Sequence, residues 1–228
     1  MSHLYLYAIV GTGFPVEGAG LAGEPLRLIG EGAVRGVAGS PVEKPRPTPP
    51  ALAAHDAVVR RLSEQITALL PARFGQTLPD EQALTEWLAA HAPELAEALV
   101  QVAGCVQMTL RVYGEREAGF IEEPPPEPPA AGPGTRYLAQ RRREAERERS
   151  LPEIAPLREA LRPLLKAERI ERPLSPAAGR LCATAYDLIA RGASDDYTRI
   201  VAATQLDGWH VAASGPWPPY AFAPGPVR

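Results

Sequence analysis

The 228-residue chain has little cysteine. Cys105 and Cys182 stand far apart, each in an apolar run, so buried free thiols are expected and a disulfide framework is not. There is no C-x-x-C and no H-E-x-x-H. The four histidines, His3, His55, His91 and His210, have no partner at ligand spacing. No metal and no cofactor is therefore expected. His55 and His91 fall on expected helices and read as ordinary surface or boundary residues. G-x-S-x-G is absent, so no nucleophile elbow is signalled. Gly11 and Gly13 begin a dinucleotide fingerprint, but Val16 holds the third glycine position and no helix pattern follows. The acid pairs Glu122–Glu123 and Asp195–Asp196 lie in a linker and at a helix start, where acids are solvated. No catalytic constellation remains. No apolar stretch approaches the roughly 20 residues needed to cross a bilayer. No basic region precedes the apolar part of MSHLYLYAIV, so no signal peptide is expected. Net charge is only −3 and the pI about 5.9, which gives no general reason for nucleic-acid binding. A cytoplasmic protein that is not an enzyme fits these absences.

Proline is abundant, at 26 residues, and clustered. Leu4–Val10, LYLYAIV, is short, apolar and closed by glycines, as a central strand would be. Tyr5 and Tyr7 share one of its faces. An RNA-recognition strand also carries aromatics there, but AVRGVAG, the other strand expected in its sheet, has none. Residues 1–116 are also acidic, with nine Lys/Arg against twelve Asp/Glu. Leu26–Ile29 and Ala33–Ala38 suggest a hairpin. Ser40–Pro50 holds five prolines and reads as a loop.

A helix is predicted from about Ala51 to Pro71, with Val58, Val59, Leu62, Ile66, Leu69 and Leu70 along one face. A second runs from Pro79 to His91 and restarts after Pro93, with Leu84, Trp87, Leu88, Leu95, Leu99 and Val102 along its stripe. Cys105–Tyr113 alternates like a strand with one wet face. Residues 1–116 then form an α+β domain of modified ferredoxin-like order, its sheet burying one face under the helices.

Glu115–Pro133, with six prolines from 124 to 133, reads as a linker over residues 117–133. Residues 134–228 form a smaller α+β domain. It opens on an arginine-rich helix half, Thr135–Arg149, with six arginines against three glutamates. The helix gains a stripe at Ile154, Leu157, Leu161, Leu164 and Leu165, bent at Pro163. Arg180–Ala190 is predicted as a strand, and Ser194–Thr204 as a helix capped by Ser194. A closing strand at Trp209 gives way at Gly215 and Pro216 to a stiff hook carrying Trp217, Tyr220 and Phe222. The hook is expected to pack on the long helix of the second domain, reaching toward the first. Candidate partner contacts are Arg136, Arg141, Arg142, Arg143, Trp217, Tyr220 and Phe222.

LYLYAIV, LAAHDAVVRRL, LPARFGQTL, GCVQMTLRVYGE, GPGTRYLAQRRREAERE and SGPWPPYAF occur in that order. Together they resemble the GvpF/GvpL family of gas vesicle proteins, from about residue 3 to 222. The resemblance implies two α+β domains, the first ferredoxin-like. It implies a non-enzymatic accessory or minor structural role in gas vesicle assembly. Its implied partners are the hydrophobic shell protein and other accessory proteins. The 40–50 segment departs from the family pattern in its richness in proline, and residues 191–208 in their shortness. A small-molecule enzyme and an RNA-binding module are the alternative readings.

Overall fold

The computed structural model describes residues 3–11, 16–114, 151–173 and 181–225. It is an α+β protein of two compact units, Met1–Gln107 with Pro216–Arg228, and Met108–Gly215.

In the first unit β1 (Leu4–Gly11) is central. The hairpin β2 (Arg27–Ile29) and β3 (Val34–Gly39) lies on one side and β4 (Leu69–Pro71) on the other, in the order β2-β3-β1-β4. The short β5 (Thr77–Leu78) also pairs with β1, and every one of these pairings is antiparallel. Leu4 to Val10 are all buried because helices cover both faces of the sheet, not one. Helix α1 (Pro49–Gln65) lays Val58, Val59 and Leu62 against Tyr5 and Tyr7. Each such buried side chain contributes roughly 1.5–3 kcal/mol. Helix α2 (Glu81–Ala90) sends Leu84 to the opposite face, where it meets Leu6 beside Gly36. Helix α3 (Ala92–Val102) follows and packs by Leu95, Leu99 and Val102.

Thr48 caps α1, its side chain accepting from the Ala51 amide at 3.4 Å. The helix ends before Ile66, which is already extended, so Leu69 and Leu70 are strand residues and do not prolong the helical stripe. Leu70 precedes Pro71 and is disfavoured in a helix for that reason. Strand β6 (Cys105–Gly114) is not half wet: its first six positions are buried. Gln107 is inside because its side-chain carbonyl has a backbone partner, the Ala221 amide at 2.8 Å.

The second unit holds a sheet of order β7-β8-β6-β9, with β7 (Leu165–Glu171) antiparallel to β8 (Leu181–Ala190). Its helices are α4 (Ala155–Leu161) and α5 (Ser194–Ala203). The expected long helix has its charged half outside the described residues. Its apolar half is shorter than expected: a 3-10 turn at Arg162–Leu164 ends it, and Leu165 opens β7. Pro163 terminates the helix here where a bend was expected. Ala193, not Ser194, occupies the cap of α5, because a 3-10 turn at Arg191–Ala193 leads directly into the helix. Strand β9 (Trp209–Trp217) runs through Gly215 and Pro216. A proline without an N–H is tolerated there because β9 is an edge strand.

Candidate partner-binding surface

The hook packs within the first unit, on α1 and β6. Three anchors hold it. The Arg60 guanidinium lies over the Trp217 ring, 4.3 Å from its centroid. Arg60 is itself oriented by Asp56 one turn earlier, Nε to Oδ2 at 2.6 Å. The other oxygen of Asp56 accepts from the Tyr220 hydroxyl at 3.4 Å, and burial pushes that phenol above its usual range. Asp56 and Arg60 stand four apart on α1, so one helix face receives two hook aromatics. Pro218 and Pro219 are buried, and Phe222 is 3% exposed. Trp217 and Tyr220 are half-buried. The hook closes in a short 3-10 turn, Tyr220–Phe222, with the Phe222 amide donating to the Pro219 carbonyl at 3.0 Å.

Beneath α1 lies a polar cluster that sequence reasoning missed. His55 is 3% exposed, so it is not a surface or boundary residue. Its Nε2–H donates to the Ala72 carbonyl at 3.0 Å, which leaves Nδ1 to accept the Tyr5 hydroxyl at 3.1 Å. Burial lowers its pKa, against the opposing pull of the Ala72 carbonyl and Asp56, so the neutral ring is the folded form. The imidazole stacks on Tyr7 and meets Tyr5 and Phe74 edge-on. Burial also pushes the Tyr5 phenol up to about 12. The Tyr7 hydroxyl donates to Glu24, whose other oxygen accepts the Ala22 amide at 3.0 Å. Burial, then this bond, raises Tyr7 far above the ordinary phenol range. Gly20 makes room: a Cβ there would sit 2.0 Å from the Glu24 carboxylate. Tyr5 and Tyr7 do share one face, as expected, but α1 covers it, so no base-stacking platform exists there.

In the second unit Asp187 is fully buried. Arg158 binds it with both terminal nitrogens, at 2.7 and 3.1 Å, and the Tyr197 hydroxyl donates to it at 2.6 Å. Arg158 also pairs with Glu168. Burial works against the guanidinium charge, but Asp187 and Glu168 outweigh it and raise the pKa. Arg158 lines an open groove of about 320 Å³ with Leu151, Ala155, Leu165 and Ile170.

Among the described residues no cluster of His, Cys, Asp and Glu could hold a metal ion, and no helix is long and apolar enough to cross a membrane. Arg136, Arg141, Arg142 and Arg143 lie outside the described residues. Asp56 and Arg60 carried a signal in the sequence, as a pair of opposite charge one helical turn apart. His55 carried one in its place near the apolar stripe of α1.

Residues 3–224 match the family described as gas vesicle synthesis protein GvpL/GvpF. The chain is 29% identical to gas vesicle protein L of Streptomyces sp. strain CB03234, over 96% of this chain and 92% of that one. It is 26% identical to gas vesicle protein F of the same strain, over 96% and 98%. The crystal structure of GvpF from Anabaena sp. PCC7120 superposes with a TM-score of 0.70 at 17% identity, covering 100% of this chain and 98% of that one. GvpF from Microcystis aeruginosa gives 0.71 at 18% identity, covering 97% and 99%. These two likenesses concern the fold.

Proposed function

The chain belongs to the GvpL/GvpF family of gas vesicle synthesis proteins, and on that premise we propose that it is a non-enzymatic accessory or minor structural protein of gas vesicle assembly. In this reading it binds the hydrophobic shell protein and other accessory proteins, and works in the cytoplasm and at the vesicle. The observation that carries the proposal is the family match along nearly the whole chain. The polar clusters support it. Tyr5, Tyr7, Glu24 and His55 are buried and bonded to one another or to backbone, and Asp187 is enclosed by Arg158 and Tyr197. Such groups fasten elements together.

Within this reading Trp217 and Tyr220 are partner contacts, each half-buried with an edge left to offer. Phe222 contributes from beneath as the residue that seats them. Arg136, Arg141, Arg142 and Arg143 meet an acidic partner. Exposed charges are worth only about 0–1 kcal/mol each, but they steer association and respond to salt. The test is co-purification with the shell protein, set beside a thermal-shift screen of metabolites. Capture of the shell protein supports the proposal. A large shift with a metabolite and no capture would favour an enzyme.

A further inference from the structure

Strand β7 is an edge of the second unit's sheet, and among the described strands only β8 pairs with it. The outer row of N–H and C=O groups on an edge is a template for another strand. Proteins guard such edges with charge and with bulges. The first half of β7 is guarded in this way, by a bulge between Leu165 and Ala167 around the exposed Lys166. The second half is regular, with Glu168 to Glu171 in register against Asp187 to Thr184. With the residue that follows, its sequence is Glu168-Arg169-Ile170-Glu171-Arg172. Reversed about Ile170, this sequence exchanges every charge for its opposite. The pleat sorts the side chains. Glu168 and Ile170 line the groove that α4 forms with β7, and Arg172 pairs on that side with Glu153 at 3.2 Å. Arg169 and Glu171 alternate to the other face, where Glu171 accepts the Tyr186 hydroxyl at 3.1 Å.

We propose that β7 pairs antiparallel with β7 of a second copy of this chain, about a two-fold axis at Ile170 perpendicular to the sheet. Residues directly opposite in an antiparallel pair share a face, so such an axis falls at a residue and not between two. An axis at Glu168, Arg169 or Glu171 would set that charge against its own copy. An axis at Ile170 sets Ile170 against Ile170, Arg169 against Glu171, and Glu168 against Arg172, the last two twice by symmetry. Opposite charges across a pair of strands stabilise it and like charges oppose it. On the groove side the charges then alternate in one row: Arg158 and Glu168 of one copy, which already pair, then Arg172 and Glu153 of the other, which also pair. The interface uses neither the hook nor the arginine-rich segment, so it is independent of the shell-protein reading.

Sedimentation velocity of the full chain, from about 1 μM to 1 mM, reads the association directly. The wild type should pass from 24.4 kDa to twice that mass. Arg169→Glu and Glu171→Arg each set two like-charged pairs across the axis, and each alone should weaken self-association at least about tenfold. Mixed in equal amounts they should restore it as a heterodimer, because positions 169 and 171 are both acidic in one variant and both basic in the other. Both residues are exposed, and melting temperatures near that of the wild type show that the variants fold. Amide exchange needs no variant: the outward amides of β7 should exchange more slowly as the wild-type concentration rises. A wild type that stays at 24.4 kDa throughout would overturn the proposal, whatever peptide of another protein the edge then accepts. A dimer that both variants leave intact, or two variants whose mixing restores nothing, would overturn it equally.

Discussion

Phe222→Ala is the sharpest perturbation of the hook. The side chain is 3% exposed, so the change removes a buried ring. In a rigid core, Phe to Ala costs about 3–5 kcal/mol. Here the damage is capped by what the hook contributes as a whole. The hook's other fastenings are the Ala221–Gln107 bond, the Tyr220–Asp56 bond and the Arg60–Trp217 contact. A neutral hydrogen bond is worth about 0.5–1.5 kcal/mol. A partly exposed cation–π contact adds about 0.5–1 kcal/mol. The expected loss for Phe222→Ala is therefore about 2–4 kcal/mol. Trp217→Ala, at a half-buried site, should cost less, about 1–2 kcal/mol. Urea unfolding of both variants, followed by circular dichroism, gives the two losses. Each kcal/mol corresponds to about 2–4 °C of melting temperature at this chain length. Equal stability of Phe222→Ala and the wild type would refute the seating of the hook. A larger loss for Trp217 than for Phe222 would show that the cation–π face, and not the buried ring, is the main anchor.

His55→Ala should destabilise the protein by about 2–3 kcal/mol, because it strands the Tyr5 hydroxyl and the Ala72 carbonyl; thermal melts would show no change if the ring were on the surface. The pH dependence follows from the lowered pKa of His55. The unfolded chain binds this proton more readily, so His55's contribution is fully present above about 6.5 and is lost as pH falls from there through the folded pKa; a His55→Gln variant should flatten that slope. Asp187→Ala should cost about 3–5 kcal/mol by leaving Arg158 beside an emptied site, whereas replacing Asp187, Arg158 and Tyr197 together with apolar residues should cost less than the single changes summed, which a mutant cycle measures. Limited proteolysis should cut first within Glu115–Pro133, the proline-rich stretch that reads as a linker; first cuts inside residues 51–103 would move the domain boundary.

Much of the first unit was legible in the sequence because its signals are local. Glycines close LYLYAIV, the hairpin has its turn residues, and Asp80 marks the start of α2, its side chain accepting from the Ala83 amide at 2.8 Å. The misreadings arose where tertiary contacts override a local pattern. The stripe through Leu69 and Leu70 fits a helix equally well, and only pairing to β1 makes it a strand. Leu165 likewise continues a helical period, yet it pairs with Ile189. His55 looked polar and therefore exposed. Its burial depends on two acceptor and donor groups, on β1 and near β4, that no spacing in the chain announces. The hook reads as a packed aromatic element from its prolines, but its anchors on α1 and β6 do not show in the sequence. Asp56 and Gln107 receive it from positions 164 and 114 residues away, a distance no pattern spans.

The most direct test of the functional account is co-expression of the tagged chain with the gas vesicle shell protein, followed by capture and identification. Gas vesicle protein L of Streptomyces sp. strain CB03234 serves as the parallel bait. The account expects this chain to retain the shell protein, less so in high salt, and to lose it when Trp217 and Tyr220 are both replaced by Ala in a variant that stays folded. Retention by the Streptomyces protein and none by this chain, under the same conditions, would contradict it.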